Sequence, residues 1–322
     1  MPILSPTAGD VHVNKMLSNI SIGYSNEEYI ADQVFPIVMV DKQSDIIPAY
    51  TQDYWFRDDA SLIPEGGVAP DIGYEVDTSA TYYCQEYGAR HFISDKRRAN
   101  QDTPFDADRE ATMLVTEKLF IRRERAFVSS FCTDTVWGTD KDGGVDFVKW
   151  SSFGSSDPIT DVRDYKRTVR RLIGRDPNTL VLGDMTYDKL MDHPDVLDRI
   201  KYTERGIATT ELLAALFDLE RVLVGRSIYA SADEGASSQT YSANWDDDAL
   251  LLYVAQRPSL FTPSAGYTFV WKTGPEAGSG PQWIRKYHDA EKRGDYVEGL
   301  TCYDQKATVS NAGAWLEDAV DA

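Results

Sequence analysis

Residues 102–132 place the strongest constraint on what this chain can become. Asp102-Thr103-Pro104 is a helix start signal, a capping side chain followed by the proline that a first helical turn accepts. Apolar residues then return at mixed spacings of three, four and seven, through Phe105, Met113, Leu114, Phe120, Ile121, Phe127, Val128 and Phe131, up to Cys132. About 28 residues at 1.5 Å each make a rod of roughly 40 Å, more than twice the usual globular helix. Asp106, Asp108 and Glu110 sit in its first turns, while Lys118, Arg122, Arg123 and Arg125 lie toward the other end, a polarity that suits the helix dipole.

The segments before the rod are extended. Residues 1–43 read as an arm with one short helical stretch near 26–34. Residues 44–93 read as strand, loop, strand: a β-rich run to Phe56, a Gly/Pro-rich tip over Asp58–Gly73, and a return through VDTSATYYCQEYGARHFI. An elongated hairpin of this kind is marginal alone and has to lie on something else.

After the rod the pattern is mixed. A helix is expected from Asp161 to Gly174, a buried strand over Asn178–Gly183, helices over Thr186–His193 and Thr209–Phe217, and strands over Arg221–Ala230, Ala249–Ala255, Tyr267–Thr273, Pro281–Asp289 and Tyr296–Val309. Asn311–Val320 reads as a short terminal helix.

Composition narrows the function classes. Asp plus Glu number 52 against 33 Lys plus Arg, a formal net charge of −19, which argues against a dedicated nucleic-acid binder and makes copies repel at long range. No apolar window is long enough for a membrane span, and the N-terminus lacks a secretory pattern. Cys84, Cys132 and Cys302 are odd in number and far apart, which favours free thiols over a disulfide framework. No nucleophile elbow, Walker loop, HExxH, CxxC or dinucleotide fingerprint is present, and His12, His91, His193 and His288 lie in four separate segments. The reading is therefore no catalytic residue, no cofactor and no metal. Asp246-Asp247-Asp248 and Asp58-Asp59 read as solvated loop charge.

Two basic features stand out against the acidic background. Arg163, Lys166, Arg167, Arg170 and Arg171 lie opposite the apolar stripe of their helix, and Lys96-Arg97-Arg98 precedes the rod. Three readings stay open for each: an ordinary solvated face, a site for acidic surface on another copy, or a nucleic-acid contact.

The order of elements resembles the major capsid proteins of tailed bacteriophages, the Hong Kong 97-type fold. IADQVFPIVMVDKQSDIIPAY resembles the end of the N-terminal arm entering the extended loop, and YYCQEYGARHFISDKRRANQDTPFD the returning strand running into the spine helix. PNTLVLGDMTYDKLMDHPDVLDRIKYT with LAALFDLERVLVGRSIYA resembles the axial domain, and DYVEGLTCYDQKATVSNAGAWLEDAV the closing strand of the peripheral domain. The resemblance implies an α+β fold divided into an arm (1–43), an extended loop (44–93), a peripheral domain (94–157 and 290–322) with a spine helix at about 103–132, and an axial domain (158–289).

It also implies a structural protein that assembles with itself into pentamers and hexamers of an icosahedral shell around double-stranded DNA. Portal, scaffolding and decoration proteins are the implied partners, with no membrane, and the implied location is the virion, with assembly in the host cytoplasm. The chain has no room for the long N-terminal scaffolding segment of some relatives, so a separate scaffolding protein, or none, is expected. The loop tip holds no lysine for the crosslink that some relatives form. The candidate subunit contacts are Tyr54, Trp55, Phe56, Ile63 and Pro64 on the hairpin, with Arg97, Arg98, Arg163, Arg167, Arg170 and Arg171 facing acidic neighbours. Phe120, Phe127 and Phe131 are expected to seat the long helix on its sheet, and Asp246–Asp248 to lie near a symmetry axis or on the outer surface. An encapsulin-like compartment shell and a cytosolic α/β enzyme are the alternatives.

Overall fold

In a computed structural model, which describes residues 29–50, 56–100, 106–200, 209–232, 238, 240–259, 262–272 and 282–321, the chain enters through helix α1 (Ala31–Val34) and strand β1 (Ile37–Val40). Two short antiparallel ladders follow, β2 (Ser44–Ile46) with β5 (Thr81–Tyr83) and β3 (Ala49–Tyr50) with β4 (Val76–Asp77). The hairpin reading holds for these ladders only. Strand β6 (Gln85–Ser94) leaves the hairpin and pairs over its whole length with β15 (Gly294–Ala307).

Helix α2 (Asp95–Ala99) leads to the rod, α3 (Ala107–Phe131), whose first N–H groups are capped by the Asp106 carboxylate. The Asp102-Thr103-Pro104 signal and Phe105 lie outside the described residues. The residues that seat α3 on its sheet are regularly spaced and mostly small: Ala107, Ala111 and Val115, with Leu119 one turn on. Gly299 of β15 permits the close approach, since a Cβ there would stand 2.4 Å from Val115 Cγ1. The expected aromatic contacts are different in kind. Phe127 and Phe131 are buried against Phe35, not the sheet, and half-buried Phe120 stacks on Tyr29. The cations of α3 also miss the helix end. Its last turn holds no basic residue, so the dipole, which acts within the terminal turn, does not account for them.

Beneath α3, β15 is flanked by β6 on one side and β14 (Trp283–Asp289) on the other. Strand β13 (Gly266–Trp271) continues the β14 side and takes β1 as a parallel partner. The second sheet runs in the order β7 (Thr139–Asp142), β16 (Gly313–Glu317), β12 (Ala249–Leu252), β8 (Thr179–Gly183), β9 (Arg221–Gly225). Its central strands are buried on both faces, so they read as unbroken apolar runs rather than alternating ones. One face, with Leu180, Leu182, Leu251 and Leu316, packs on helices α4 (Pro158–Ile173), α5 (Asp184–Met191), α6 (Pro194–Ile200) and α7 (Thr210–Phe217). The other face, with Val181, Leu250, Leu252 and Trp315, packs on Phe35, Phe127, Phe131 and Trp137.

Three expectations need correction. Residues 313–317 form a strand, not part of a helix, because the run GAWL is buried between β7 and β12, where a short apolar segment is satisfied by ladders on both sides. The 221–230 segment breaks into β9 and β10 (Ile228–Ala230), the latter paired with β11 (Tyr241–Ala243). Strand membership also crosses the expected segment boundaries. β13 and β14 join β15, whereas β7 and β16 complete the sheet of β8, because pairing follows open edges and buried faces rather than chain order.

Residues 29–35 wedge between the two sheets, and α3 supplies the polar groups that hold them. Glu124 is buried, and its carboxylate accepts from the N–H groups of Ile30 (3.3 Å) and Ala31 (2.9 Å) and from the indole N–H of Trp245. Burial pushes the Glu124 carboxyl up while these three donors pull it down. Its neighbour Arg123 donates to Asp32 (2.7 Å) and to the Thr301 hydroxyl (3.1 Å) on β15. Adjacent opposite charges on α3 thus tie the entering segment to both sheets.

Candidate interaction surfaces

The loop between β3 and β4 carries apolar side chains with no core of their own. Leu62 is 96% exposed, Val68 92% and Ile72 74%, with Ile63, Pro64 and Tyr74 also exposed. Gly66, at φ 81°, closes a turn that brings the Gly67 N–H to the Pro64 carbonyl at 2.8 Å. Phe56 at the loop base lies over Gly174, the left-handed cap of α4, where a Cβ would stand 2.9 Å from the ring. Tyr54 and Trp55 lie outside the described residues.

The basic candidates divide. Arg163, Arg167, Arg170 and Arg171 are exposed on α4. Arg167 already meets Asp164 at 2.9 Å and Arg170 meets Asp176 at 3.5 Å. Lys166, placed on the same face by its spacing, is instead buried, donating to the carbonyls of Phe217 (3.0 Å) and Asp218 and to the Asp218 carboxylate (3.1 Å). It closes the C-terminal end of α7, a role for a cation that spacing alone does not reveal. Arg97 is exposed, 4.0 Å from Glu110. Arg98 is committed within the chain, bridging Asp295 (2.6 Å) and Asp108 (2.9 Å), with Lys286 completing the network to Asp108 at 2.7 Å.

Two titratable groupings resemble reactive sites. Ser156 Oγ and His193 Nε2 are 3.0 Å apart and buried, with Asp195 nearby. The bonding runs opposite to a nucleophilic triad. The Asp195 backbone N–H donates to His193 Nδ1 (3.2 Å), so that nitrogen is an acceptor; Nε2 carries the proton, and Ser156 passes its own to the Ser152 carbonyl (2.9 Å). Burial lowers the His193 pKa despite the pull of Asp195 and Asp157, which keeps the ring neutral, capping the start of α6. The second grouping is acidic: carboxylate oxygens of Asp247, Asp248 and Asp318 lie within 4.8 Å of one another. Burial first, then Asp247, Glu317 and Asp318, raise Asp248 to about 7, against a 3.0 Å hydrogen bond from the Asp318 N–H. This corner sits where β12 begins beside the end of β16.

The described surface is thus dominated by an exposed apolar loop and exposed basic side chains on an acidic chain. Comparison with known proteins agrees with that picture. The family described as phage major capsid protein E matches residues 147–265. The major capsid protein of Burkholderia phage BcepMu is 27% identical over 271 residues, 82% of this chain and 85% of that protein. Over most of its length the chain is similar to phage major capsid proteins. Among solved structures, a phage-related protein from Bordetella bronchiseptica has a TM-score of 0.75 at 20% identity, covering 97% of this chain and 99% of that one. The mature capsid of bacteriophage PhiM1 has a TM-score of 0.56 at 11% identity, covering 91% and 87%, which shows a shared fold. The fold is the Hong Kong 97 type, and the similarity in sequence is to phage major capsid proteins. For a capsid protein the working parts are surfaces, so the loop and the basic side chains take the place an active site would hold. No helix of the described residues is long and apolar enough to cross a membrane.

Proposed function

We propose that copies of this chain close into pentamers and hexamers of an icosahedral shell around double-stranded DNA. The observation that carries the reading is the loop over residues 56–75, whose apolar side chains are exposed, Leu62 and Val68 almost fully, on a segment with two short ladders at its base. Apolar surface of this extent, set on a flexible-looking composition of Gly, Pro and Asp, calls for a partner surface. In this reading α3 with its sheet builds the wall, and the β8 sheet with its helices forms the axial part. Ile63 and Pro64 contact a neighbour, Arg163 and Arg171 face acidic surface on an adjacent copy, and Arg97, Arg167 and Arg170 contribute at the margin of their own ion pairs. Phe56 first packs on its own Gly174, so its part is to set the direction in which the loop leaves. The protein has no catalytic role, and portal, scaffolding and decoration proteins are its partners during assembly in the host cytoplasm.

Deleting Asp58–Gly73 tests the reading. The expected outcome is a soluble, folded subunit that forms no particles by electron microscopy and sedimentation. Unaffected assembly overturns the loop's role. An encapsulin-like shell shares the fold, but two relatives that match over about four fifths of the chain are phage major capsid proteins.

A further inference from the structure

The long helix carries two kinds of cation. Arg123 is buried and bound to Asp32. Lys118, Arg122 and Arg125 are exposed and stand at i, i+4 and i+7 along one side of the rod. Among the described residues none of these three has a carboxylate partner, whereas Arg98, Arg123, Arg285 and Lys286 each have one. Arg163 and Arg171 are also without an ion pair among the described residues, but the α3 cations stand in one line along a single long helix of a chain with 52 acidic residues against 33 basic ones. Like charges at i, i+3 and i, i+4 also weaken a helix, so stability does not explain their spacing. Two of them are held in place by aromatic rings. The Arg122 guanidinium is 5.3 Å from the centre of the Tyr87 ring on β6, and that of Arg125 is 4.0 Å from the Tyr229 ring on β10. A guanidinium resting on a ring keeps its edge N–H groups for another acceptor.

We infer that Lys118, Arg122 and Arg125 form a contact site for the phosphodiester backbone of nucleic acid. Seven residues of helix span about 10 Å, the length of roughly three nucleotides of one strand in a duplex. A row of cations on a straight rod matches a linear polyanion. Exposed apolar side chains also stand near the row, Leu114 at its N-terminal border and Ile228 next to Tyr229, so the sedimentation arm of the test separates a phosphate contact from a contact between copies. The site reads no sequence, since phosphate contacts position without specifying. In an otherwise acidic wall it lets DNA approach along α3 while the rest of the subunit repels it. The source of that DNA rests on the shell reading; the contact itself does not.

The test is fluorescence anisotropy of a labelled duplex with the full chain. With three phosphate contacts, affinity is expected to fall about 40-fold between about 50 and 200 mM salt. The combined variant Lys118→Ala, Arg122→Ala, Arg125→Ala is expected to bind at least about tenfold more weakly at about 50 mM salt and to lose most of the salt dependence. The control Arg199→Ala with Arg257→Ala, at two exposed cations elsewhere on the surface, is expected to bind as the parent does. Circular dichroism verifies that each variant is folded. Equal binding by the triple variant, or no binding by the parent at low salt, overturns the inference. So does a triple variant that binds DNA normally yet no longer sediments as particles, which makes the row a contact between copies. A parent chain that never assembles but loses DNA binding on triple substitution sinks the shell reading and leaves the contact standing.

Discussion

Two apolar-rich segments precede the long helix, and they have opposite fates. Residues 29–40 (YIADQVFPIVMV) are drawn between the two sheets, with Ile30, Val34 and Phe35 buried and their polar groups met by Glu124 and Arg123. Residues 56–75 (FRDDASLIPEGGVAPDIGYE) leave Leu62, Val68 and Ile72 in solvent. The first is the more apolar of the two, but content alone does not explain why Leu62, Val68 and Ile72 stay in solvent. The first has a ready edge in β13 and an aromatic pocket in Phe127, Phe131 and Trp137, whereas the second has only the two ladders at its base. The first segment's contacts stabilise the subunit; the second segment's side chains await another molecule.

This contrast can be broken experimentally, most forcefully at the wedge. Phe127→Ala removes the ring that Phe35 meets edge-on at 4.8 Å and is expected to destabilise the subunit by about 3–5 kcal/mol, measured by chemical denaturation. Glu124→Ala strands the N–H groups of Ile30, Ala31 and Trp245, with an expected loss of about 2–4 kcal/mol, and Glu124→Gln less, because its amide oxygen still accepts.

The acidic corner gives a smaller, pH-dependent effect. Asp248 titrates near 7 in the folded chain and near the ordinary carboxylate range when unfolded, so the folded state holds the extra proton. Its contribution is therefore most favourable below about pH 4 and declines as pH rises to about 7. Asp248→Asn is expected to remove that decline and to raise thermal stability at pH 8, with little change at pH 4; equal shifts at both values would dissociate the effect from Asp248 titration. The smallest effect on the subunit belongs to the loop. Leu62→Ser with Val68→Ser is expected to shift subunit stability by less than about 0.5 kcal/mol while lowering particle yield, which separates fold from assembly in one measurement.

Much of the fold is legible in local pattern. Asp157-Pro158 and Gly174 bound α4 as a cap, a first-turn proline and a left-handed terminus should, and Thr209 caps α7. The rod announces itself by length. Its seating does not, because bulky residues draw the eye to Phe120 and Phe127, while the sheet meets Ala107, Ala111 and Val115 across Gly299. The candidate surfaces are half legible. Exposure of Arg163 and Arg171 follows from helical spacing, but the inward turn of Lys166 depends on where α7 ends, and the commitment of Arg98 depends on Asp295, nearly two hundred residues away. The cation row of α3 is visible in the sequence as charge suited to the helix dipole, and only burial separates Arg123 from its neighbours.

Local chemistry, then, determined by itself where α4 and α7 begin and end, that 56–75 would be a loop, and that the chain carries an excess of acid. Those properties depend on residues a few positions apart, where caps, periodicity and turn geometry act. The tertiary structure alone decided that GAWL becomes a central strand, that β6 abandons its hairpin for β15, and which cations remain without a carboxylate. Each of these is settled by a partner distant in sequence, through an open edge to pair with or a buried charge to neutralise, and such partners exist only once the sheets have formed.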